Sequence, residues 1–156
     1  MVFDLQDRYR PNVAVVLLHP TDAKKVLFCH RVRFDTSSGW QFPQGGVDTN
    51  LDFFEEMKRE LLEEIGTANV EVVQVSDMYY NYDFPGDPSR FRGGYIGQRQ
   101  KWVLCRLIGD DSQINVHTET PEFDSWEWTS PQEATKWVVD FKQGIYHGAL
   151  TEFGLL

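Results

Sequence analysis

Residues Asp52 to Gly66, DFFEEMKRELLEEIG, read as a helix whose character is divided around its circumference. At about 100° per residue, Glu56, Glu60, Glu63 and Glu64 fall within roughly one third of the helix surface. Phe54, Met57, Leu61 and Ile65 occupy the adjoining arc, so any fold that buries the apolar stripe brings the acidic one to the edge of its core. Gly66 is a natural stop, and Asp48, Thr49 and Asn50 are the capping residues ahead of it. On a water-exposed helix each like-charge pair costs only a few tenths of a kcal/mol, on the order of 0.3. Near the protein, at an effective dielectric around 20, two such charges about 6 Å apart repel by about 3 kcal/mol. Two explanations satisfy that arithmetic. The stripe is a solvated face, or it holds a hard divalent cation that takes oxygen ligands and shares them with phosphate.

The rest of the chain supports a compact enzyme-sized domain. Its 156 residues are 41% hydrophobic and 14% aromatic, enough for one domain with a real core, taken as residues 1–156. The longest apolar run, VAVVLL at Val13–Leu18, is far short of a membrane span, and the acidic N-terminal stretch MVFDLQDRYR is not a secretory signal. Cys29 and Cys105 sit in apolar, strand-like contexts and read as free thiols of a cytoplasmic protein. A net charge of −9 argues against coating DNA or RNA, which rests on phosphate neutralisation, but leaves room to grip a few phosphates at one end.

NVAVVLLHP and KKVLFCHRV read as strands joined by PTDA, and GWQFPQGG as a short strand running into glycines. VEVVQVSDMYYNYDF reads as one or two strands, QKWVLCRLI and FDSWEWT as one each. SPQEATKWVVDF begins with a serine cap and a first-turn proline, and KQGIYHGALTEF is a final helix weakened by Gly144 and Gly148. Strands mixed with three helices predict an α/β (or α+β) sandwich, with a mixed sheet between helices.

Gly45 and Gly46 immediately precede the acidic helix, and glycine lets backbone approach a ligand or metal closely. Together with Arg59, Glu60, Leu61, Glu63, Glu64 and Gly66 they give the stretch 45–67 a resemblance to the Nudix box. Two positions depart from that pattern: Leu51 stands where the box has its first glutamate, and Thr67 where it ends in an apolar residue. The resemblance implies an α/β/α sandwich and hydrolysis of nucleoside diphosphates linked to another group. It also implies Mg²⁺ (or Mn²⁺) held by Glu60, Glu63 and Glu64 with the Gly45 carbonyl nearby.

RYRPNVAVV, WQFPQGGVD, YDFP, GQRQKWVL, TPEFDSWEW and VVDFKQGIY extend the resemblance to RNA 5′-pyrophosphohydrolases and dinucleoside polyphosphate hydrolases. It implies that Glu122 joins the metal site and that the general base is Glu64, Glu122 or Glu60, in that order. Arg10 and Arg31 are implied as phosphate contacts, and a local excess of cations in a chain of net charge −9 makes Lys101 a candidate for an anionic ligand. Tyr82, Val139, Phe141 and Lys142 are implied as nucleotide contacts. A core position is the competing explanation for Phe141, and the cations Arg90, Arg92, Arg99 and Lys101 between Gly86 and Lys101 are equally consistent with a solvated loop. No histidine, serine or cysteine stands in a metal or nucleophile motif.

The expected function is therefore conversion of a 5′-triphosphate RNA end to a monophosphate, a step of mRNA decay. The alternatives are asymmetric cleavage of diadenosine tetraphosphate and a catalytically weak nucleotide-binding module, whose one support is Leu51. Because leucine cannot accept a hydrogen bond from Arg59, Asp52 is expected to orient Arg59 in place of the missing glutamate.

Overall fold

The computed structural model describes residues 7–32 and 39–156. Its elements are β1 (Tyr9–Leu18), β2 (Val26–Arg31), β3 (Trp40–Gln41), β4 (Gln44–Gly46), α1 (Phe53–Ile65), β5 (Val70–Asp83), β6 (Gly97–Leu107), β7 (Phe123–Thr129), α2 (Pro131–Trp137) and α3 (Asp140–Glu152). The sheet runs β3-β2-β1-β6-β5, with β4 also on β1 and β7 also on β2. β1 and β6 are parallel and the other pairs antiparallel.

Alternation along β1 sorts side chains to the two faces. Val13, Val15 and Leu17 meet Phe53, Met57, Leu61 and Ile65 of α1. Ala14, Val16 and Leu18 meet Ala134, Val138, Tyr146, Ala149 and Leu150 from α2, α3 and the step between them. The sheet is thus buried on both faces, which is why its central strands read as continuous apolar runs. Burying one such side chain is worth about 1.5–3 kcal/mol. Four on α1 more than offset the repulsion along its acidic stripe.

Two boundaries differ from expectation, and a third element resolves between its two alternatives. Asp52, not Asp48, Thr49 or Asn50, caps α1, its side chain accepting the Glu55 N–H at 3.0 Å. The stretch 70–83 is one strand that absorbs two register shifts against β6. The helix expected over SPQEATKWVVDF stops at Trp137. Val138 and Val139 turn extended, which lets Val138 insert into the core, and α3 restarts at Asp140.

The site-forming feature is a split beside β1. On that side β2 reaches β1 only at Leu18↔Val26, while β4 pairs with it at Asn12↔Gly46, Val13↔Gly45 and Ala14↔Gln44. The glycines are thereby carried to the flank of α1.

Replacing Asp52 by alanine removes the N-cap and should lower stability by about 1 kcal/mol in urea unfolding. An unchanged unfolding midpoint would show that the cap contributes nothing.

Candidate active site

Between the split and α1 opens a cavity of about 830 Å³. α1 contributes Glu60, Glu63 and Glu64, and the loop before β7 adds Glu119 and Glu122. Arg10 and Asn12 enter from β1, Arg31 from the end of β2, and Gln44, Gly45 and Gly46 from β4. Both glycines are dictated by close approach. A Cβ on Gly45 would lie 2.1 Å from the Glu60 carboxylate, and one on Gly46 2.1 Å from the Arg10 guanidinium. The Thr118 hydroxyl donates to the Glu63 carbonyl at 2.7 Å, tying the Glu122 loop to α1.

The carboxylates are only partly compensated: Arg59 reaches Glu60 and Glu63. Burial, then the charges of Glu60 and Glu122, pushes the Glu64 carboxyl well above its ordinary value of 4.5, against the opposing effect of the Gln44 N–H that Oε1 accepts at 3.1 Å. Glu60 is also raised, chiefly by burial, although Arg59 pulls the other way. The acidic stripe is therefore not wholly a solvated face: Glu63 stays exposed, but Glu64 is 4% exposed and lies near other acids. Among the described residues no three acids already converge as a finished coordination shell. Arg59 draws Glu60 and Glu63 toward itself, at 3.2 and 3.0 Å. The all-oxygen donor set, its unrelieved charge and the glycine backbone pressed against Glu60 fit a hard divalent cation held by Glu60, Glu63, Glu64 and Glu122.

The expected partnership of Asp52 with Arg59 is not formed, because the Asp52 carboxylate is committed to capping α1. Leu51 is 58% exposed. Arg59 turns instead to Glu56, donating from Nε to Oε2 at 2.9 Å and from Nη2 to Oε1 at 3.3 Å. That hydrogen bond, with the Asp48 N–H, holds the Glu56 carboxyl below its ordinary range.

A second cavity of about 380 Å³ adjoins the first, the two sharing Arg31, Gln41, Gln44 and Gln98. Its walls are apolar and aromatic: Trp40, Tyr82, Phe84, Val139 and Phe141, with Lys142 at the side. Phe141 is half-exposed at this cavity, not core. Lys142 is buried, 3.5 Å from Gln41 Oε1 and 5.2 Å from the Tyr82 ring centre. Burial, with Arg31 adding repulsion, brings its ammonium down to about 8.

Lys101 is the expected residue that the geometry removes from the site. Its position on β6 turns it to the α1 face, where the ammonium lies 4.4 Å from the Tyr79 ring centre and donates to the Asp77 carbonyl. Arg99 stacks on the same ring at 4.1 Å. The side chains of Arg90 and Arg92 lie outside those described.

A chain of amides that no single motif contains reaches the cavities through Asn12 and Gln44. The Trp102 indole N–H, a donor only, binds Gln100 Oε1 at 3.1 Å. Gln100 Nε2 must then face acceptors, and it meets Asn12 Oδ1 at 3.0 Å and Gln44 Oε1 at 2.8 Å. The available signal was the period-two spacing of Gln98 and Gln100 beside Asn12 on parallel β1.

A carboxylate-lined cavity bearing two arginines, joined to an aromatic one on an α/β/α sandwich, defines a hydrolase of phosphoanhydrides. The NUDIX domain model matches residues 8–147 of this chain, which belongs to that family of pyrophosphohydrolases. Members generally use a divalent cation. The chain is 38% identical to an RNA pyrophosphohydrolase of Rickettsia typhi over 93% of its own length and 89% of the relative's. It is 38% identical to one of Caulobacter vibrioides, over 94% and 86%. Among solved structures it resembles the Escherichia coli dihydroneopterin triphosphate pyrophosphohydrolase, with a TM-score of 0.65 at 17% identity, covering 90% of this chain and 95% of that one. A Caenorhabditis elegans Ap4A hydrolase gives 0.62 at 16%, covering 94% and 99%. At those identities the structural likenesses speak to the fold. Among the described residues no helix is long and apolar enough to cross a membrane.

A raised carboxyl destabilises the fold once ionised. The Glu64 penalty is absent below the unfolded value near 4.5 and grows as pH rises toward the folded one. Metal-free Glu64→Gln should therefore be more stable than wild type at pH 7–8, and the margin should close as pH falls below about 4.5. Thermal unfolding in chelator across that range checks this; a margin independent of pH would contradict it.

Proposed function

We propose that the substrate is the 5′-triphosphate end of an RNA chain and the product its 5′-monophosphate, with Mg²⁺ (or Mn²⁺) at the carboxylates. The observation that carries this reading is the union of the two cavities through Arg31, Gln41, Gln44 and Gln98. Phosphates placed among Arg10, Arg31 and the glutamates put the first nucleotide within reach of the aromatic walls, where bases stack favourably. The curated relatives named RNA pyrophosphohydrolase, at 38% identity over more than nine-tenths of the chain, support the same substrate.

Held by Glu60, Glu63, Glu64 and Glu122, a divalent cation would supply charge to neutralise phosphate oxygens and would make water a better nucleophile. The chain supplies the rest. Arg10 and Arg31 hold the phosphate oxygens, and Tyr82, Val139, Phe141 and Lys142 receive the nucleotide. Glu64 offers Oε2 to the water's proton, since Oε1 is engaged by Gln44. The water oxygen bonds to phosphorus, the anhydride P–O bond breaks, and its electron pair leaves with pyrophosphate, or with orthophosphate if the phosphates are removed one at a time. A general base contributes about 10²–10⁴-fold, which is the loss expected for Glu64→Gln. We infer one catalytic domain over residues 1–156. A cytoplasmic location suits an RNA substrate and two reduced, buried cysteines.

Side-by-side turnover of 5′-triphosphate RNA and diadenosine tetraphosphate with Mg²⁺ tests the assignment. Monophosphate RNA should be the favoured product. Arg31→Ala and Lys142→Ala should lower kcat/KM at least threefold more on RNA than on the dinucleotide. Equal losses, or faster dinucleotide cleavage, would move the assignment to dinucleoside polyphosphates.

A further inference from the structure

The Nudix pattern loses a carboxylate at Leu51, yet the structure contains a buried carboxylate that lines neither cavity: Glu56. We propose that Glu56 is the positioning residue of this active site, standing in from within the helix for the glutamate absent from the loop before it. The inference rests on reading Glu60, Glu63 and Glu64 as the cation site.

Glu56 clasps two pieces of chain at once. Oε1 accepts the Asp48 N–H at 2.8 Å, which pins the segment between β4 and α1 to the helix. Oε2 accepts Arg59 Nε at 2.9 Å. So anchored, Arg59 also reaches the site itself. Nη2 reaches the Gly46 carbonyl at 3.3 Å and lies 3.2 Å from Glu60 Oε1, while Nη1 meets Glu63 at 3.0 Å. The Gly46 carbonyl adjoins Gly45, whose Cα hydrogens face the Glu60 carboxylate with no space for a methyl group. A carboxylate that holds Arg59 therefore sets the distance between the glycine strand and the ligand-bearing helix without touching substrate. Leu51, exposed and apolar, can do none of this. Asp52 is occupied at the cap.

The test compares Glu56→Ala, Leu51→Glu and the double variant L51E/E56A with wild type and Glu64→Gln. Mn²⁺ affinity is read by calorimetry, kcat and KM on triphosphate RNA, and folding by thermal unfolding. Removing a residue that orients metal ligands costs about 10–100-fold in metal affinity or activity. Glu56→Ala should lose that much Mn²⁺ affinity and kcat, with KM within twofold. Leu51→Glu alone should stay within twofold of wild type, because Arg59 is already held. L51E/E56A should recover at least tenfold of any hundredfold loss, or to within threefold of wild type, by restoring the acid in the family's usual place. If Glu56→Ala loses only thermal stability while folded protein keeps wild-type Mn²⁺ affinity and kcat, the proposal is overturned. A double variant no better than Glu56→Ala also overturns it. Should Glu64→Gln keep wild-type affinity and rate, the cation-site reading fails instead, independently of Glu56.

Discussion

Arg59 is a cation set within the acidic stripe of α1, and the geometry of the site follows from what it holds. It is paired with Glu56, Glu60 and Glu63 and donates to the Gly46 carbonyl. The hydrogen bond it donates to Glu56, with another to Glu63 and the charge of Glu60, keeps it firmly protonated despite partial burial. Arg59 thus does part of what a divalent cation at the proposed site would do, and the two would share Glu60 and Glu63. Glu64 is outside its reach, which is why that carboxyl carries the largest unrelieved burden.

The sheet explains where this charge cluster can exist. Strand β1 is covered by apolar side chains on both faces, and the cavity opens only where β2 and β4 part beside it. α1 is held there by Phe53, Met57, Leu61 and Ile65, so Glu64 has no freedom to turn toward water. Repulsion of about 3 kcal/mol between neighbouring acids is sustained by burial of comparable size for each apolar side chain. On the opposite face, the break between α2 and α3 at Val138–Val139 brings Phe141 and Lys142 to the aromatic cavity.

Much of this was legible in the sequence because it is local. The helix at 53–65, its closing glycine, the acidic stripe and the glycine pair all follow from spacing over some twenty residues. The sandwich follows from strands and helices with distinct periods. What spacing could not disclose depends on tertiary pairing. Lys101 belongs to a motif rich in cations, but only the direction of β6 shows that its side chain faces Tyr79. Asp52 and Glu56 are both near enough to Arg59 along the chain. The choice turned on which carboxylate the helix cap claimed, and the cap had been placed two to four residues too early. The amide chain from Trp102 through Gln100 to Asn12 and Gln44 joins three strands, so no single stretch contains it.

On the proposed reading, the carboxylates of Glu60 and Glu64 on α1 are held in mutual repulsion that a divalent cation would relieve. Calorimetric titration of Mn²⁺ into the chelator-treated protein tests it most directly, with unfolding followed in parallel. A ligand at 100 times its Kd stabilises the folded state by about 2.7 kcal/mol. The account predicts saturable binding, a rise in Tm of that origin, and at least tenfold weaker binding when Glu64 is replaced by glutamine. Absence of saturable binding, or equal affinity in the two proteins, would contradict it.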